Sequence, residues 1–249
     1  MDVNLKNKLL KFNVIWFTVL IFLTLGIFYG ISFVIIGLFW VIDYIITMNN
    51  TYILSSNSTY SYIIKKNIYL LSLIIPLFFN YKIYFITSMY SFVMWTIICT
   101  VCSILLLIPK IRLYRIYLSN FMISRTQETE KIDIAINIFT LLFTPFFEEY
   151  FYRNFIISMS MASLGGYSIL LSAYLFIIHH FKVRWSSQYT KYDYLIQLIF
   201  GICSGAVYYF SHSIVPCIVG HYIYNMPILI LEIKKLKYIF KNYKNILIK

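Results

Sequence analysis

Two adjacent carboxylates and a guanidinium lie in the middle of a long apolar part of the chain. Glu148 and Glu149 are followed by Arg153, and no other charged residue lies between Ile134 and Ile178. Ionised side chains at membrane depth cost at least ~2.5–3.5 kcal/mol each, so they are rare there and usually functional. Glu149 and Arg153 have i, i+4 spacing, which lets them pair on one helical face. Glu148 points roughly 100° away and is free to face another wall of a cavity.

Histidine and asparagine side chains that could complete a hydrolytic site follow downstream. His179 and His180 end one apolar segment, and His221 and Asn225 share a face of the last one, whereas His212 is interpreted as a solvated turn residue. Amide hydrolysis needs a base that takes a proton from water and donors that stabilise the oxyanion. A partly desolvated carboxylate is a stronger base, and His and Asn can hold water or donate hydrogen bonds. The set therefore predicts amide hydrolysis within a membrane.

The composition predicts that these residues are positioned by transmembrane helices. The 249-residue chain is 61% hydrophobic and only 12% charged, whereas soluble domains have about 25% charged residues. The net charge of +12 is interpreted as basic cytoplasmic loops, and no nucleic-acid partner is expected. Pro145, just before the carboxylates, removes a backbone donor and is expected to bend its helix. Cys99 and Cys102 form a C-x-x-C in an apolar run and are interpreted as packing residues.

Seven apolar segments suggest an all-α polytopic bundle of about eight helices, with seven as the alternative. The first segment, Val14–Thr47, is either one long tilted helix or a hairpin that turns near Gly26 and Gly30. The others span 67–79, 83–108, 132–158, 166–180, 194–210 and 214–231. A hairpin places every Lys and Arg on one side, except Lys82 and the intramembrane Arg153. That side is predicted to be cytoplasmic, with both termini on it.

The chain is divided into three predicted parts. Residues 1–130 supply N-terminal transmembrane helices, residues 131–232 carry the candidate site, and residues 233–249 form a basic tail. The tail is Lys-rich and aromatic, so it is expected to lie on the anionic inner leaflet.

Three short motifs in this order resemble those of the CPBP family of intramembrane proteases. They are Glu148-Glu149-x-x-x-Arg153, then Phe176-x-x-x-His180, then His221-x-x-x-Asn225. The family is related to type II CAAX prenyl endopeptidases and to bacterial bacteriocin self-immunity ("Abi") proteins. The resemblance covers roughly residues 130–230, and residues before 130 resemble nothing beyond additional spans.

The resemblance also implies roles for these residues. Glu148 would be the base that activates water, and His180 would help to position that water. Glu149 and Arg153 would hold the site together, and His221 and Asn225 would line the oxyanion site. His179 would replace His180 if Leu175 were the counterpart of the motif phenylalanine.

The sequence leaves metal dependence open. The family is often described as metalloproteases, and Glu148, His180 and His221 could bind Zn²⁺ with an open position for water. The chain has no H-E-x-x-H motif, however, and a Glu–His pair acting directly on water is chemically sufficient.

The sequence thus predicts an intramembrane endopeptidase that acts on a membrane-associated peptide or protein and has the lipid bilayer as its surroundings. The abundance of Ile, Asn, Lys, Tyr and Phe indicates an AT-rich bacterial genome and a bacterial plasma membrane. Plausible roles are processing or export of a peptide signal, or bacteriocin self-immunity. The alternatives are a non-catalytic membrane scaffold or immunity protein that keeps the fold, and a transporter or channel.

Overall fold

The computed structural model describes residues 3–53, 59–79, 88–125, 131–180 and 190–247, and the regular structure in these ranges is helical. The all-α prediction is therefore confirmed. In chain order the α-helices are α1 Val3–Tyr29, α2 Ile31–Ile53, α3 Thr59–Leu73, α4 Met89–Leu107, α5 Ile111–Tyr117, α6 Asn120–Arg125, α7 Lys131–Glu149, α8 Ser158–Leu164, α9 Tyr167–His180, α10 Lys191–Ser211 and α11 Val215–Leu247. Short 3₁₀ turns occupy Ile75–Phe79 and Ile108–Lys110, and a π-helix occupies Tyr150–Ile157. The start of the predicted segment 83–108 lies outside the described residues.

The first apolar block is a helical hairpin, as the charge distribution predicts. Helices α1 and α2 are separated at Gly30, whose φ of 100° is rarely adopted by residues with a side chain. The two helices approach closely, because a Cβ added to Gly26 would lie 2.5 Å from Val34. A Cβ added to Gly37 would likewise lie 2.5 Å from Phe22. Small residues at such positions let membrane helices pack backbone to backbone.

The described helices fit a multi-pass membrane protein. Four stretches are long and apolar enough to cross a bilayer: Met89–Tyr117, Lys131–Leu164, Lys191–Ser211 and Val215–Lys241. Three shorter apolar helices cover Asn13–Tyr29, Ile31–Thr47 and Tyr167–His180. The described part of the chain thus contains seven such apolar helices, which fits a helical membrane bundle, and the number of membrane crossings stays a prediction. The cytoplasmic placement of the termini stays a prediction.

The helix that carries the two glutamates changes its geometry directly after them. Helix α7 runs through Pro145 to Glu149, and the π-helix Tyr150–Ile157 continues the chain into α8. A π-helix has i→i+5 hydrogen bonds and a wider turn, and such segments are rare and often occur at functional sites. Every residue of the π-helix is buried, and it packs against α9 and α10. The wide turn therefore lies at the centre of the bundle.

Helix α11 crosses α4 and α7 and supplies the last of the candidate residues. A Cβ added to Gly220 would lie 2.4 Å from the Sγ atom of Cys99, so α4 and α11 are in close contact there. Cys99 is buried and unbridged, as expected for a packing residue. Helix α11 continues without a break across the boundary predicted between residues 232 and 233. The membrane-surface position of the basic tail stays a prediction.

Candidate active site

Glu149 is the most tightly held carboxylate of the site. Its Oε2 atom lies 3.1 Å from Nε of Arg153 and accepts a 2.7 Å hydrogen bond from Oγ of Ser204. Its Oε1 atom lies 2.8 Å from Nδ1 of His221. Glu149 and Arg153 are both fully buried, and their ion pair has the spacing expected from the sequence. Helices α7, α10 and α11 thus meet at one carboxylate.

Arg153 binds small hydroxyl side chains of α10 and α9, and so connects this carboxylate to α9 as well. Its Nε atom donates to Oγ of Ser204 on α10 at 3.2 Å, and its Nη1 atom donates to Oγ of Ser172 on α9 at 3.2 Å. Ser172 in turn donates to the backbone carbonyl of Tyr152 at 2.6 Å. The guanidinium carbon lies 4.8 Å from the ring centroid of Phe176, within cation–π range. The guanidinium is therefore fixed both by its hydrogen bonds and by an aromatic ring.

Glu148 is held in a different way from its neighbour. It is 2% exposed, yet within the described residues its carboxylate accepts no hydrogen bond. Two imidazole nitrogens lie close to it: Nε2 of His180 is 3.8 Å from Oε1, and Nε2 of His221 is 3.8 Å from Oε2. These distances are too long for direct hydrogen bonds. The carboxylate therefore faces two imidazoles across a narrow gap.

The hydrogen-bond partners of the His180 and His221 rings indicate which ring nitrogen carries the proton in each. Nδ1 of His180 lies 2.9 Å from the carbonyl oxygen of Phe176, and Nδ1 of His221 lies 2.8 Å from the Glu149 carboxylate. Carbonyl and carboxylate oxygens only accept, so each Nδ1 carries the proton. In the neutral tautomers, both Nε2 atoms present lone pairs toward Glu148. A proton gained at either Nε2 would turn that atom into a donor.

The two adjacent histidines of α9 face different clusters. His180 lies beside Glu148, as the motif spacing implies, whereas Nδ1 of His179 lies 2.7 Å from Oδ2 of Asp43 on α2. Both histidines are buried. The alternative assignment of His179 as the residue beside Glu148 does not agree with this geometry.

The structure places the other two candidate residues at the edge of this arrangement or outside it. Asn225 lies one helical turn after His221 on α11, is partly exposed, and makes no side-chain hydrogen bond to the part of the chain that the structure describes. Its amide could therefore donate to a group that enters beside His221. His212 is exposed and caps the end of α10 with a left-handed φ of 49°, which agrees with its interpretation as a turn residue.

Sequence reasoning missed three polar partners of the site. Ser172 and Ser204 hold Arg153 and Glu149, and Asp43 pairs with His179. Serine is common in membrane helices, so neither serine stands out by composition. Asp43, in contrast, is the one charged residue of the first apolar block, a signal that could have marked it as functional.

A comparison with family models identifies the segment that contains the site. Residues 131–227 match the family described as Type II CAAX prenyl endopeptidase Rce1-like. The match covers 97 of the chain's 249 residues, so this segment is similar to that family. No curated protein and no solved structure matches the chain.

The Rce1-like segment contains all six candidate residues but stops short of the whole chain. It begins at α7 and ends within α11, so the N-terminal hairpin, α3 and α4 lie outside it. The resemblance to type II CAAX prenyl endopeptidases is thus confirmed, and at the family level it indicates an intramembrane protease. The relation to bacteriocin self-immunity proteins stays a prediction.

The Rce1-like site contains carboxylate and imidazole donors, which are of types that bind Zn²⁺. Among the described residues, no group of three His, Cys, Asp or Glu side chains has the arrangement of a metal site. Tetrahedral Zn²⁺ with bonds of about 2.0–2.1 Å needs its ligand atoms about 3.3–3.4 Å apart. The two Glu148–imidazole separations are longer, at 3.8 Å each. Glu148, His180 and His221 therefore do not fit a preformed Zn²⁺ site, and no catalytic step is assigned to a metal.

Proposed function

We propose that this chain is an intramembrane endopeptidase that hydrolyses a peptide bond of a membrane-associated peptide or protein. The observation that carries the proposal is the unequal bonding of two neighbouring carboxylates. Glu149 is engaged by Arg153, Ser204 and His221, so three of its about four acceptor positions are occupied. Glu148 has no such partners among the described residues and faces two imidazoles. Such a pair assigns different roles to its members, with the less engaged carboxylate as the base.

The gap between Glu148 and His180 suits a nucleophilic water. A water about 2.8 Å from Oε1 of Glu148 and equally far from Nε2 of His180 would hydrogen-bond to both. The two atoms are 3.8 Å apart, which fits such a bridge. One water proton would point at the carboxylate and the other at the imidazole lone pair, leaving an oxygen lone pair for attack.

The reaction then follows as a balanced hydrolysis. The water oxygen attacks the carbonyl carbon while Glu148 accepts a proton, and the carbonyl oxygen becomes an oxyanion. The amide of Asn225 donates to that oxyanion, and His221 lines the same site one helical turn earlier on α11. The intermediate collapses with cleavage of the C–N bond, and the proton held by Glu148 passes to the leaving amine.

The substrate is proposed to be a peptide or protein held near the bilayer, because the site lies among candidate membrane spans. The composition favours a bacterial plasma membrane, where we do not expect prenylated substrates. Processing or export of a peptide signal, or bacteriocin self-immunity, are the roles to be tested.

The test compares a strain lacking the protein with strains that produce the wild type, Glu148→Gln or His180→Ala. The matched control is His212→Ala, because His212 is exposed and lies outside the site. Released peptides and new protein N-termini would be identified by mass spectrometry at equal membrane abundance. The proposal requires a product that is present with wild type and His212→Ala and absent with both site variants. If all four producing strains give the same peptides, the protein acts without catalysis, as a scaffold or immunity factor.

A further inference from the structure

A second buried polar cluster lies next to the candidate site and is formed largely by the N-terminal helices. Asp43 on α2 is fully buried, and its Oδ2 atom lies 2.7 Å from Nδ1 of His179 on α9. Its Oδ1 atom accepts a 2.5 Å hydrogen bond from Oγ of Ser72 on α3. Among the described residues, no Lys or Arg pairs with Asp43. The cluster thus joins three helices, two of which lie outside the family-matched segment.

A second contact attaches α2 to the same face of α9. Trp40 donates from Nε1 to the carbonyl oxygen of Leu175 at 3.2 Å, and its ring stacks on Tyr44 with centroids 5.0 Å apart. Leu175 and His179 are one helical turn apart on α9, so two successive turns of that helix are fixed to α2. The second of these turns is the last one that the structure describes on α9.

The turn of α9 that contains His179 is held by its contact with Asp43 of α2. His180 occupies that turn, and its ring lies 5.5 Å from the ring of His179. The contact that its Nδ1 atom makes with Phe176 lies within the same helix and moves with it. The Nε2–Glu148 distance therefore depends on where the last turn of α9 is fixed.

We propose that Asp43 is a positioning residue of the candidate protease: through His179, and with Ser72, it fixes the end of α9 so that His180 faces Glu148. This inference rests on the proposed function. It makes the N-terminal hairpin a working part of the site, although the motifs lie entirely downstream. An apolar side chain would pack α2 against α9 without any polar contact, whereas Asp43 also holds the His179 ring through the 2.7 Å Oδ2–Nδ1 contact.

The first experiment is a double-mutant cycle on cleavage by the full chain in lipid vesicles. Membranes from a strain lacking the protein serve as the substrate source, and the product measured is the one that Glu148→Gln fails to form. We expect Asp43→Asn to lower the rate by about 10- to 100-fold, since displacement by about 1 Å can cost that much. Adding His179→Gln to Asp43→Asn should not slow cleavage further, because each substitution removes the same Asp43–His179 contact. Ser72→Ala, a milder change, should give an intermediate loss.

The second experiment reports on His180 without any activity. The full chain labelled with ¹⁵N-histidine contains four histidines, whose resonances in bilayers can be assigned by single substitutions. Asp43→Asn should shift the ring signals of His180 as well as those of His179. Asp133→Asn, a change of the same type at the start of α7, should shift neither. Thermal melting of each variant shows whether it is folded.

The outcomes separate this inference from the proposed function. If wild type and Glu148→Gln form the same products, the proposed function fails and the positioning role fails with it. If cleavage depends on Glu148, but Asp43→Asn and Ser72→Ala cleave at the wild-type rate with unshifted His180 signals, only the positioning role is overturned. Three results together support the positioning role. Folded Asp43→Asn and Ser72→Ala cleave more slowly, the effects of Asp43→Asn and His179→Gln are not additive, and Asp43→Asn shifts the ring signals of His180.

Discussion

Replacing Arg153 by methionine should destabilise the protein, and removing the charge of Glu149 in the same chain should reverse most of that loss. Arg153 is fully buried and neutralises a carboxylate that is also fully buried. In Arg153→Met, Glu149 keeps only Ser204 and His221 as partners. The variant therefore leaves an insufficiently compensated charge in an apolar interior. In Arg153→Met/Glu149→Gln both charges are gone, and the glutamine can still accept from Ser204 or His221.

The expected size follows from measured behaviour of buried ion pairs. Breaking such a pair by removing one partner costs about 3–5 kcal/mol, whereas replacing both partners is often close to neutral. For a protein of this size, each kcal/mol corresponds to about 2–4 °C in Tm, so Arg153→Met should lower Tm by roughly 6–20 °C. The double variant should recover at least half of that shift.

The assay is thermal melting of the purified proteins in one detergent. Unfolding is measured as the loss of the monodisperse peak in size-exclusion chromatography after heating. Lys235→Met is the matched control, since Lys235 forms a 2.7 Å i, i+3 ion pair with Glu232 on α11. That pair is partly exposed, so its loss should cost about 1 kcal/mol or less. If the double variant melts no higher than Arg153→Met, the stabilisation that Arg153 supplies does not come from neutralising the Glu149 carboxylate.

Three further outcomes are expected. Gly220→Ala should destabilise the protein by about 1–3 kcal/mol through overpacking between α4 and α11, because the new Cβ would lie 2.4 Å from the Cys99 Sγ atom. Adding Cys99→Ala should relieve this clash, so the double variant should have a higher Tm than Gly220→Ala. Gly30→Ala should lower the free energy of unfolding by about 1–3 kcal/mol, because φ at the hairpin turn is 100°. An unchanged Tm in the same melting assay would show that alanine fits this turn without strain. Treatment of the vesicle-embedded protein with a divalent-metal chelator should leave the Glu148-dependent product unchanged; loss of product that Zn²⁺ restores would show a metal-dependent enzyme.

The parts of the molecule that could be predicted are those where charged residues occur within apolar stretches of the sequence. Glu148, Glu149 and Arg153 interrupt an uncharged stretch, and a charge at membrane depth needs a partner or a task. The i, i+4 rule then predicts the Glu149–Arg153 pair, which the structure contains at 3.1 Å. Charge asymmetry favours a hairpin that turns near Gly26 and Gly30, because one long helix would place a basic loop on the wrong side.

The parts that escaped prediction depend on contacts between residues far apart in the chain or on small changes of helical geometry. Asp43 and His179 are separated by most of the chain, and no local rule couples them. Ser204 and Ser172 do not stand out among the other small residues of membrane helices, although both hold Arg153. The π-helix Tyr150–Ile157 could not be predicted from hydrophobic periodicity, because a wider turn over eight buried residues changes the spacing of apolar side chains too little to be recognised.

The main alternative to catalysis is a purely structural role for the acidic pair. The contacts of Glu149 fit such a role, and those of Glu148 do not. Glu149 fits such a role, since it joins α7, α10 and α11 through three partners. Glu148 does not, because it is 2% exposed and accepts no hydrogen bond from the described residues. A buried polar group without partners costs stability and contributes none. Natural sequences retain such departures mainly where function requires them, and a carboxylate facing two imidazole lone pairs at 3.8 Å is suited to holding and deprotonating water.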